Sequence, residues 1–332
     1  MLSLILRGLP TISEEYMSFW KNRTILVTGA HGFVGAHVVK MLQEREPLNI
    51  YTPTREDYDL TVEYEVGLMF KHLKPEVVIH LAGKVGGIAA NKSDPGTFFY
   101  DNLMMGTLVM EYARRYNVEK VVALAAGCGY PLGLEAPYTE DDFWQGLPQV
   151  ESMGYSMGKK MLIIQSWTYR AQYDFNSSIL LPANLYGPND NFDLEKSHVV
   201  PALIRKFLSA KETGAPSVEV WGTGKATREF LYVEDTARAI LDVAERYNES
   251  GPLNLGTGVE TSIRELVETI VDIIGYEGEL IWNTDRPDGQ PRRFYSMEKF
   301  ENHMGYVPST SLREGLEKTI DWYLNSTDEK RL

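Results

Sequence analysis

Short apolar runs alternate along the chain with segments whose apolar residues recur every three or four positions. Continuous apolar runs bounded by glycine or polar residues are typical of strands buried on both faces of a parallel sheet. Such runs cover residues 24–27, 77–82 and 121–126, and two further strands are predicted at residues 49–53 and 177–181. Helical spacing follows the first run and also covers residues 101–116 and 155–173. This alternation predicts an α/β fold built on a doubly wound parallel Rossmann sheet.

The alternation ends near residue 186, where an Asn- and Asp-rich loop leads into a further helix from Pro201. The first pattern returns at Arg228 and continues to a strand-like run at residues 253–256. We therefore predict an N-terminal extension (1–20), a Rossmann domain (21–185 plus 229–260), and a smaller, mostly helical C-terminal substrate domain (186–228 plus 261–327).

A glycine-rich turn, residues 28–35, joins the first predicted strand to the first predicted helix. In such a turn Gly29 permits the tight bend, Gly32 lets a pyrophosphate approach the backbone, and Gly35 lets helix and strand pack closely. The helix N-terminus adds N–H donors and the positive end of the helix dipole. The turn predicts a dinucleotide site.

The end of the second predicted strand bears on which dinucleotide binds. It lacks the acidic residue that holds a ribose 2′-hydroxyl, and Arg55 follows, a residue type that accommodates a 2′-phosphate. This favours NADP(H) over NAD(H), with a solvated Arg55 in a mixed-charge loop as the alternative. Asp59 and Leu60 are expected near the adenine.

Charge and cysteine content narrow the class of protein. The 332 residues carry a net charge of −13, which argues against a nucleic-acid or anionic-membrane partner. The single cysteine, Cys128, permits no intramolecular disulfide, which fits a reducing compartment. The apolar opening, residues 1–6, is too short to span a bilayer and lacks the features of a signal peptide. We expect a cytoplasmic protein that binds no metal.

Tyr155 and Lys159 stand four positions apart, so in a helix they share one face. The ammonium group favours the phenolate and is expected to lower the pKa of the phenol, which can then exchange a proton with a substrate oxygen. The same pattern recurs at Tyr295 and Lys299. We favour Tyr155, because it opens the first helix after the strand that leads to Cys128, whereas Tyr295 lies far down the chain.

From about residue 21 to about residue 323 the chain resembles the extended short-chain dehydrogenase/reductase family, and within it the GDP-L-fucose synthase branch. The likeness rests on the order and spacing of short motifs: residues 28–35, 84–88 with Asn91, Cys128 with Tyr130-Pro131, Tyr155 with Lys159, and residues 184–188, 190–192, 197–199 and 228–231. The resemblance implies a two-stage reaction on a GDP-linked 4-keto-6-deoxy sugar: epimerisation at C3 and C5, then reduction at C4 by NADPH.

By the same resemblance, Cys128 and His198 would be the base and acid of the epimerisation, and Tyr155 would protonate the C4 oxygen with Lys159 beneath it. Reference pKa values of about 8.5 for Cys and about 6.5 for His suit such transfers when a cation stabilises the thiolate. Taken alone, Cys128 is more typical of a small buried apolar residue and His198 of a loop residue. A catalytic role is favoured only because Cys128 and His198 both match positions of the family's motifs.

The resemblance also implies the remaining contacts. The cofactor would be held by the following residues: Gly29, His31, Gly32, Phe33, Val34, Gly35, Arg55, Asp59, Leu60, Leu81, Ala82, Gly83, Lys159, Pro182, Asn184, Leu185 and His198. The sugar nucleotide would be held by a second set: Lys84, Val85, Gly86, Asn184, Lys206, Trp221, Arg228 and Arg293. A homodimer through the helices around residues 103–116 and 156–172 is implied as well.

Ala126 is the largest departure from the family, which places Ser or Thr two positions before the cysteine to hydrogen-bond the C4 oxygen. Losing one such donor typically costs about 10²–10³ in rate, so reduction should be impaired. Several explanations of Ala126 stay open. The protein could reduce slowly with Tyr155 alone, or a water or another hydroxyl could take the role of the missing one. It could also be mainly an epimerase or bind a different sugar, or the alanine could be an engineered substitution. Gly127 and Gly129 indicate a roomier or more mobile loop, and His31, where relatives often carry Arg, weakens the NADP assignment.

Three functions are consistent with these residues. The first is an NADP(H)-dependent epimerase/reductase acting on a GDP-linked 4-keto-6-deoxy sugar. The second is a sugar-nucleotide epimerase with little net reduction. The third is a non-catalytic dinucleotide-binding sensor, which Ala126 alone supports.

Overall fold

The computed structural model describes residues 19–193, 197–286 and 288–326. The predicted N-terminal extension lies outside these ranges except for Phe19 and Trp20, and Trp20 is fully buried in the core. The strands are β1 (Thr24–Thr28), β2 (Asn49–Tyr51), β3 (Val77–His80), β4 (Lys120–Leu124), β5 (Ser177–Pro182), β6 (Asn184–Tyr186), β7 (Ser217–Trp221), β8 (Thr227–Arg228), β9 (Phe230–Tyr232), β10 (Leu253–Leu255), β11 (Thr261–Ser262), β12 (Glu279–Asn283) and β13 (Arg292–Arg293). The helices are α1 (Phe33–Gln43), α2 (Glu63–Leu73), α3 (Ile88–Ser93), α4 (Pro95–Arg115), α5 (Met153–Tyr173), α6 (Val199–Thr213), α7 (Val233–Arg246), α8 (Ile263–Ile274), α9 (Glu298–Met304) and α10 (Leu312–Asn325).

The central sheet has six strands in the order β2-β1-β3-β4-β5-β10, and every pairing in it is parallel. From β1 the chain steps to the edge strand β2 and then crosses back to β3 on the other side of β1. The reversal makes the β1–β3 gap a topological switch point, where open α/β sheets bind ligands. The predicted doubly wound parallel sheet is therefore confirmed.

Alternate residues of the sheet strands feed two separate apolar layers, because successive side chains of a strand point to opposite faces. Ile25 and Val27 of β1 join the layer formed with α1 and α7, whereas Leu26 joins the layer formed with α2, α4 and α5. Both faces are covered, which explains why these strands read as continuous apolar runs. Reactive and ligand-binding polar side chains can therefore lie only at the ends of these strands.

A third apolar cluster lies apart from the sheet and is built from α6, α8 and α10 against β7 and β12. The chain nevertheless returns to the sheet after β13, where Met297, Phe300 and Met304 join the layer of α1 and α7. The third cluster corresponds to the smaller helical part of the chain, and the exact domain boundaries stay a prediction.

Helices α4 and α5 approach each other closely at glycines of α5. A β-carbon at Gly154 would overlap the Pro95 carbonyl oxygen, and one at Gly158 would lie 3.0 Å from the Phe99 carbonyl oxygen. Backbone therefore packs against backbone, which fixes the position of α5 and of the Tyr155 and Lys159 side chains that it carries.

Gly154→Ala is expected to lower the free energy of unfolding by about 1–3 kcal/mol, because the new methyl group overlaps a backbone carbonyl that cannot turn away. Gly96→Ala is the matched control. Gly96 is likewise the second residue of its helix, α4, and a β-carbon there meets no atom within 4 Å. Chemical denaturation should therefore show Gly96→Ala as neutral or slightly stabilised, and equal effects of the two substitutions would contradict this account of the packing.

Candidate active site

The glycine turn lies against the carboxyl ends of β1 and β3. Gly29 has a φ of +71°, and a β-carbon there would lie 2.6 Å from the Ala82 amide nitrogen. Any side chain at Gly35 would overlap the Gly29 carbonyl oxygen. Strand, turn and α1 are therefore in backbone contact, and the first turn of α1 faces the space beside them.

A cavity of about 580 Å³ opens beside this turn. It is lined by predicted cofactor residues together with Lys84: Gly29, His31, Gly32, Arg55, Asp59, Leu60, Ala82, Gly83 and Lys84. A helix N-terminus, small residues and basic side chains on one wall fit the diphosphate of a dinucleotide. The residues present thus fit the predicted cofactor.

Arg55 and His31 lie on the wall of this cavity after the ends of β2 and β1. The Arg55 guanidinium is 76% exposed and pairs with Asp59, at 3.0 Å and 2.9 Å from its carboxylate. His31 Nε2 lies 3.0 Å from the Thr52 carbonyl oxygen. Arg55 is already neutralised in part, so an added phosphate must compete with Asp59 for it.

Helix α5 carries Tyr155 and Lys159 on the same face. The Lys159 ammonium donates to the Ala82 carbonyl oxygen at 3.4 Å, and burial lowers the pKa of Lys159 to about 8. The expected lowering of the Tyr155 pKa is wrong, since burial raises it and the Cys128 sulfur raises it further. Desolvation of the phenolate is the largest cause of the shift. A raised pKa keeps the phenol protonated, which is the form that donates a proton.

Tyr295 and Lys299 do not share a helical face, because α9 begins only at residue 298. The Lys299 ammonium instead donates to the Pro252 carbonyl oxygen at 2.9 Å. The Tyr295 ring packs among aromatic residues at the end of the sheet, with 5.3 Å between its centroid and that of Tyr130. The second Tyr–Lys pattern therefore differs in geometry from the first.

Cys128 and His198 come from distant parts of the chain. Cys128 lies in a 3₁₀ turn (Gly127–Gly129) after β4, and His198 is the residue before α6. Burial raises the pKa of the Cys128 thiol, which a hydrogen bond from Ser156 and the Arg293 guanidinium oppose. Burial lowers the pKa of His198 and Arg293 lowers it further. Arg293 therefore influences the pKa of both groups, one of which follows β4 and the other precedes α6.

Arg228 and Arg293 form the positive part of this region. Burial lowers the pKa of Arg228 to about 10, and repulsion from Arg293 adds to the shift. The Arg293 guanidinium donates to Asn184 Oδ1 at 2.8 Å, and that of Arg228 donates to the Gln290 carbonyl oxygen at 2.6 Å. A second cavity, of about 230 Å³, is lined by Asn184, Val199, Trp221, Arg228, Ile263 and Asp288. Two confined like charges suit a doubly charged anion such as a diphosphate.

Two of the predicted substrate residues make other contacts. The Lys206 ammonium is exposed and donates to the Glu219 carbonyl oxygen on β7. Lys84 pairs with Asp94 at 3.0 Å and lies 3.8 Å from Asp101. Neighbouring Val85 is 59% exposed, and the Gly86 carbonyl oxygen accepts a hydrogen bond from Asn91 at 2.8 Å. Val85 and Gly86 therefore lie on a loop that Asn91 holds in place.

Sequence reasoning missed Ser156 and Asn102. Ser156 Oγ lies 3.1 Å from Cys128 Sγ. Asn102 is buried in α4 and donates to the Lys84 and Phe98 carbonyl oxygens. Its Oδ1 and the Lys159 Nζ both lie 3.1 Å from the position that a β-carbon of Gly83 would take. The signal that could have found Asn102 is a polar residue in the buried stripe Phe98, Asn102, Gly106.

The expectation that Gly127 and Gly129 leave a roomier or more mobile loop is wrong. A β-carbon at Gly127 would overlap the Tyr295 hydroxyl and lie 2.8 Å from the Pro182 carbonyl oxygen. One at Gly129 would overlap the Phe143 ring. Large aromatic side chains fill the volume that the two glycines vacate, so the turn that carries Cys128 is tightly packed.

Gly127→Ala is expected to destabilise the protein by about 1–3 kcal/mol, since the methyl group overlaps the Tyr295 hydroxyl. Tyr295→Phe removes that oxygen, so Gly127→Ala should cost about 1 kcal/mol less in the Tyr295→Phe background. Relief remains partial, because the Pro182 carbonyl oxygen stays 2.8 Å away. A double-mutant cycle of unfolding free energies measures the coupling, and strictly additive effects would show that the two residues do not compete for space.

The described residues contain no group of three or more His, Cys, Asp or Glu side chains placed to hold a metal ion. Among the described helices, none combines the length and apolarity that crossing a membrane requires.

A doubly wound sheet with a glycine turn, a helical Tyr–Lys pair and an added helical substrate region defines the extended short-chain dehydrogenase/reductase class. The chain belongs to the NAD dependent epimerase/dehydratase family, whose model matches residues 25–256. It is 40% identical to GDP-L-fucose synthase 1 of Arabidopsis thaliana over 317 residues, which cover 95% of this chain and 98% of that protein. The resemblance found in the sequence is thereby confirmed.

Solved structures agree with this assignment. A GDP-L-fucose synthetase from Naegleria fowleri bound to NADP superposes with a TM-score of 0.85 at 30% identity, covering 93% of this chain and 94% of that one. A GDP-D-glycero-L-gluco-heptose synthase from Campylobacter jejuni, solved in the presence of NADPH, gives a TM-score of 0.84 at 30% identity, covering 91% and 98%.

Proposed function

We propose that this protein is an NADP(H)-dependent epimerase/reductase that acts on a GDP-linked 4-keto-6-deoxy sugar. The observation that carries the proposal is the contact between Cys128 and α5, the helix of Tyr155 and Lys159: the Ser156 hydroxyl lies 3.1 Å from Cys128 Sγ. The Cys128 sulfur acts on the pKa of both Tyr155 and Lys159, and Arg293 acts on that of both Cys128 and His198. Relatives that are named for GDP-sugars and solved with NADP or NADPH support the choice of substrate and cofactor.

Epimerisation is assigned to Cys128 and His198. The C4 ketone acidifies the hydrogens at C3 and C5, so a base can remove one of them while the electron pair moves onto the ketone oxygen. Cys128 as thiolate takes the proton, and His198 returns one from the opposite side, which inverts the carbon. Arg228 and Arg293 hold the diphosphate and so keep the ring in place while both centres react.

Reduction is assigned to Tyr155. Bound NADPH supplies the hydride to C4, and the residues of the first cavity hold it. The Tyr155 phenol, kept protonated by its buried position, donates its proton to the C4 oxygen. To Lys159, whose ammonium donates to the Ala82 carbonyl oxygen, we assign two roles: it holds the nicotinamide ribose, and it stabilises the phenolate that results.

A second candidate function, epimerisation with little net reduction, is favoured by Ala126. This residue is 6% exposed and supplies only a methyl group where the family has a hydroxyl. With one donor fewer at the C4 oxygen, both hydride transfer and the enolisation that allows exchange at C3 and C5 are slowed. Exchange needs no hydride, so it continues when reduction is too slow to complete the reaction.

Incubation with GDP-4-keto-6-deoxymannose in heavy water tests both functions. We expect deuterium at C3 and C5 by NMR with or without NADPH, together with slow loss of absorbance at 340 nm when NADPH is present. Ala126→Ser should speed the NADPH loss by about 10²–10³, because it restores a hydrogen-bond donor to the C4 oxygen. It should speed the exchange as well, since the enolate formed at C3 or C5 also places negative charge on that oxygen.

Cys128→Ala and His198→Ala provide the controls, since each removes one proton carrier. Exchange without NADPH loss, even after Ala126→Ser, would establish the epimerase. Absence of both signals would refute the proposal for this sugar and leave a non-catalytic sensor or another sugar nucleotide as the explanation.

Arg55→Ala is expected to raise the KM for NADPH about three- to tenfold while leaving the weaker use of NADH unchanged, because only NADPH carries the 2′-phosphate. Arg313→Ala is the matched control. Arg313 is also an exposed arginine paired with an aspartate, Asp272 at 2.7 Å, but it lies on α10 outside the cavity. Steady-state kinetics with both cofactors decide, and an equal change for NADPH and NADH would remove Arg55 from the phosphate site.

A homodimer through α4 and α5, and a cytoplasmic location, complete the proposal. Four large apolar residues on these helices are exposed: Phe99 at 40%, Tyr100 at 54%, Ile164 at 37% and Tyr173 at 45%. An exposed apolar surface on paired helices is what a subunit interface requires.

A further inference from the structure

We propose that Ser156 is a positioning residue for the Cys128 thiol, which it holds in place and stabilises as the thiolate; this rests on the proposed role of Cys128 in epimerisation. The Ser156 hydroxyl lies 3.1 Å from Cys128 Sγ and 3.1 Å from the Cys128 carbonyl oxygen. Ser156 is fully buried, with 0% of its surface exposed. Its one hydrogen is therefore shared among nearby acceptors, and the two at the shortest distance both belong to Cys128.

The position of Ser156 follows from the packing of α5. It is the residue after Tyr155, so its side chain points about 100° around the helix from the phenol, toward the turn that follows β4. One helical turn earlier, Ser152 Oγ lies 3.4 Å from Ser156 Oγ. Two hydroxyl groups at the N-terminal end of α5 thus lie near the sulfur.

The groups around Cys128 Sγ determine how much the Ser156 and Ser152 hydroxyls affect the pKa of the thiol. Four ionisable side chains interact electrostatically with Cys128: Tyr155 and Lys159 of α5, Arg293 of β13, and Tyr295. Of these, only Lys159 and Arg293 are cations. Burial raises the pKa of the thiol, and the hydrogen bond from Ser156 is the largest effect that lowers it, ahead of Arg293 and of Ser152.

The hydroxyl matters because the proton transfer runs through the thiolate. When Cys128 removes a proton, the substrate C–H bond breaks, an S–H bond forms, and the electron pair moves to the ketone oxygen. A thiolate accepts a hydrogen bond far better than a thiol does, since the acceptor is charged. The Ser156 hydrogen therefore turns from the Cys128 carbonyl to the sulfur when the thiol ionises, and it stabilises that state selectively.

Ser156→Ala tests the proposal without substrate or cofactor. Cys128 is the only cysteine of the chain, so its alkylation by iodoacetamide, followed by intact mass, reports one site. The pH midpoint of the alkylation rate should rise by about one unit, a tenfold loss of thiolate below the midpoint. Ser166→Ala is the matched control: Ser166 is buried on the same helix, and its hydroxyl lies 2.7 Å from Ser177 Oγ, away from the cysteine.

Ser156→Thr keeps a hydroxyl and should return the midpoint toward that of the unmodified protein. Ser152→Ala should raise the midpoint of alkylation by a smaller amount. If circular dichroism shows that Ser156→Ala does not fold, the midpoint of Ser152→Ala becomes the test of the proposal. An unchanged or lowered midpoint in the folded Ser156→Ala protein would overturn the proposal. Because alkylation requires no sugar nucleotide, this result stands apart from the outcome of the heavy-water experiment. If exchange occurs, the acidic limb of its pH profile should shift upward with the alkylation midpoint in Ser156→Ala and stay in place in Ser166→Ala.

Discussion

Burial of the parallel sheet on both faces is the constraint on which the rest of the structure depends. With apolar layers above and below, the strands can place reactive groups only where they end. The carboxyl ends of β1, β3 and β4 therefore carry the glycine turn, the Ala82–Lys84 loop and the Cys128 turn side by side. Helix α5 brings Tyr155 and Lys159 to the same edge because its glycines let it lie against the backbone of α4.

This constraint also explains how much the sequence could predict. The predicted strands at residues 24–27, 49–53, 77–82, 121–126 and 177–181 correspond to β1–β5. The helix predicted at residues 155–173 matches α5 to within two residues, whereas that at residues 101–116 misses the first turns of α4, which begins at Pro95. The glycine turn could be placed because its neighbours were unmistakably strand and helix. The family motifs named Cys128, Tyr155, Lys159 and His198, but the roles of these residues in catalysis stay predictions.

What the sequence could not show depends on side chains that meet from distant positions. The pKa of Tyr155 was expected to fall, since a neighbouring lysine is visible in the sequence and burial is not. The spaces beside Gly127 and Gly129 looked empty, since Tyr295 and Phe143 return to them from elsewhere in the chain. Ser156 went unnoticed because its partner, Cys128, lies 28 positions away. Each error has one cause: local spacing carries no information about what packs across it.

The filling of the Gly127 position by the Tyr295 hydroxyl links two distant parts of the chain. A phenol at position 295 and a β-carbon at position 127 compete for the same space, so the effect of a substitution at one position depends on the residue at the other. Any redesign of the turn that carries Cys128 therefore has to treat positions 127 and 295 as a pair. A library that varies only one of them samples mainly overpacked or underpacked proteins.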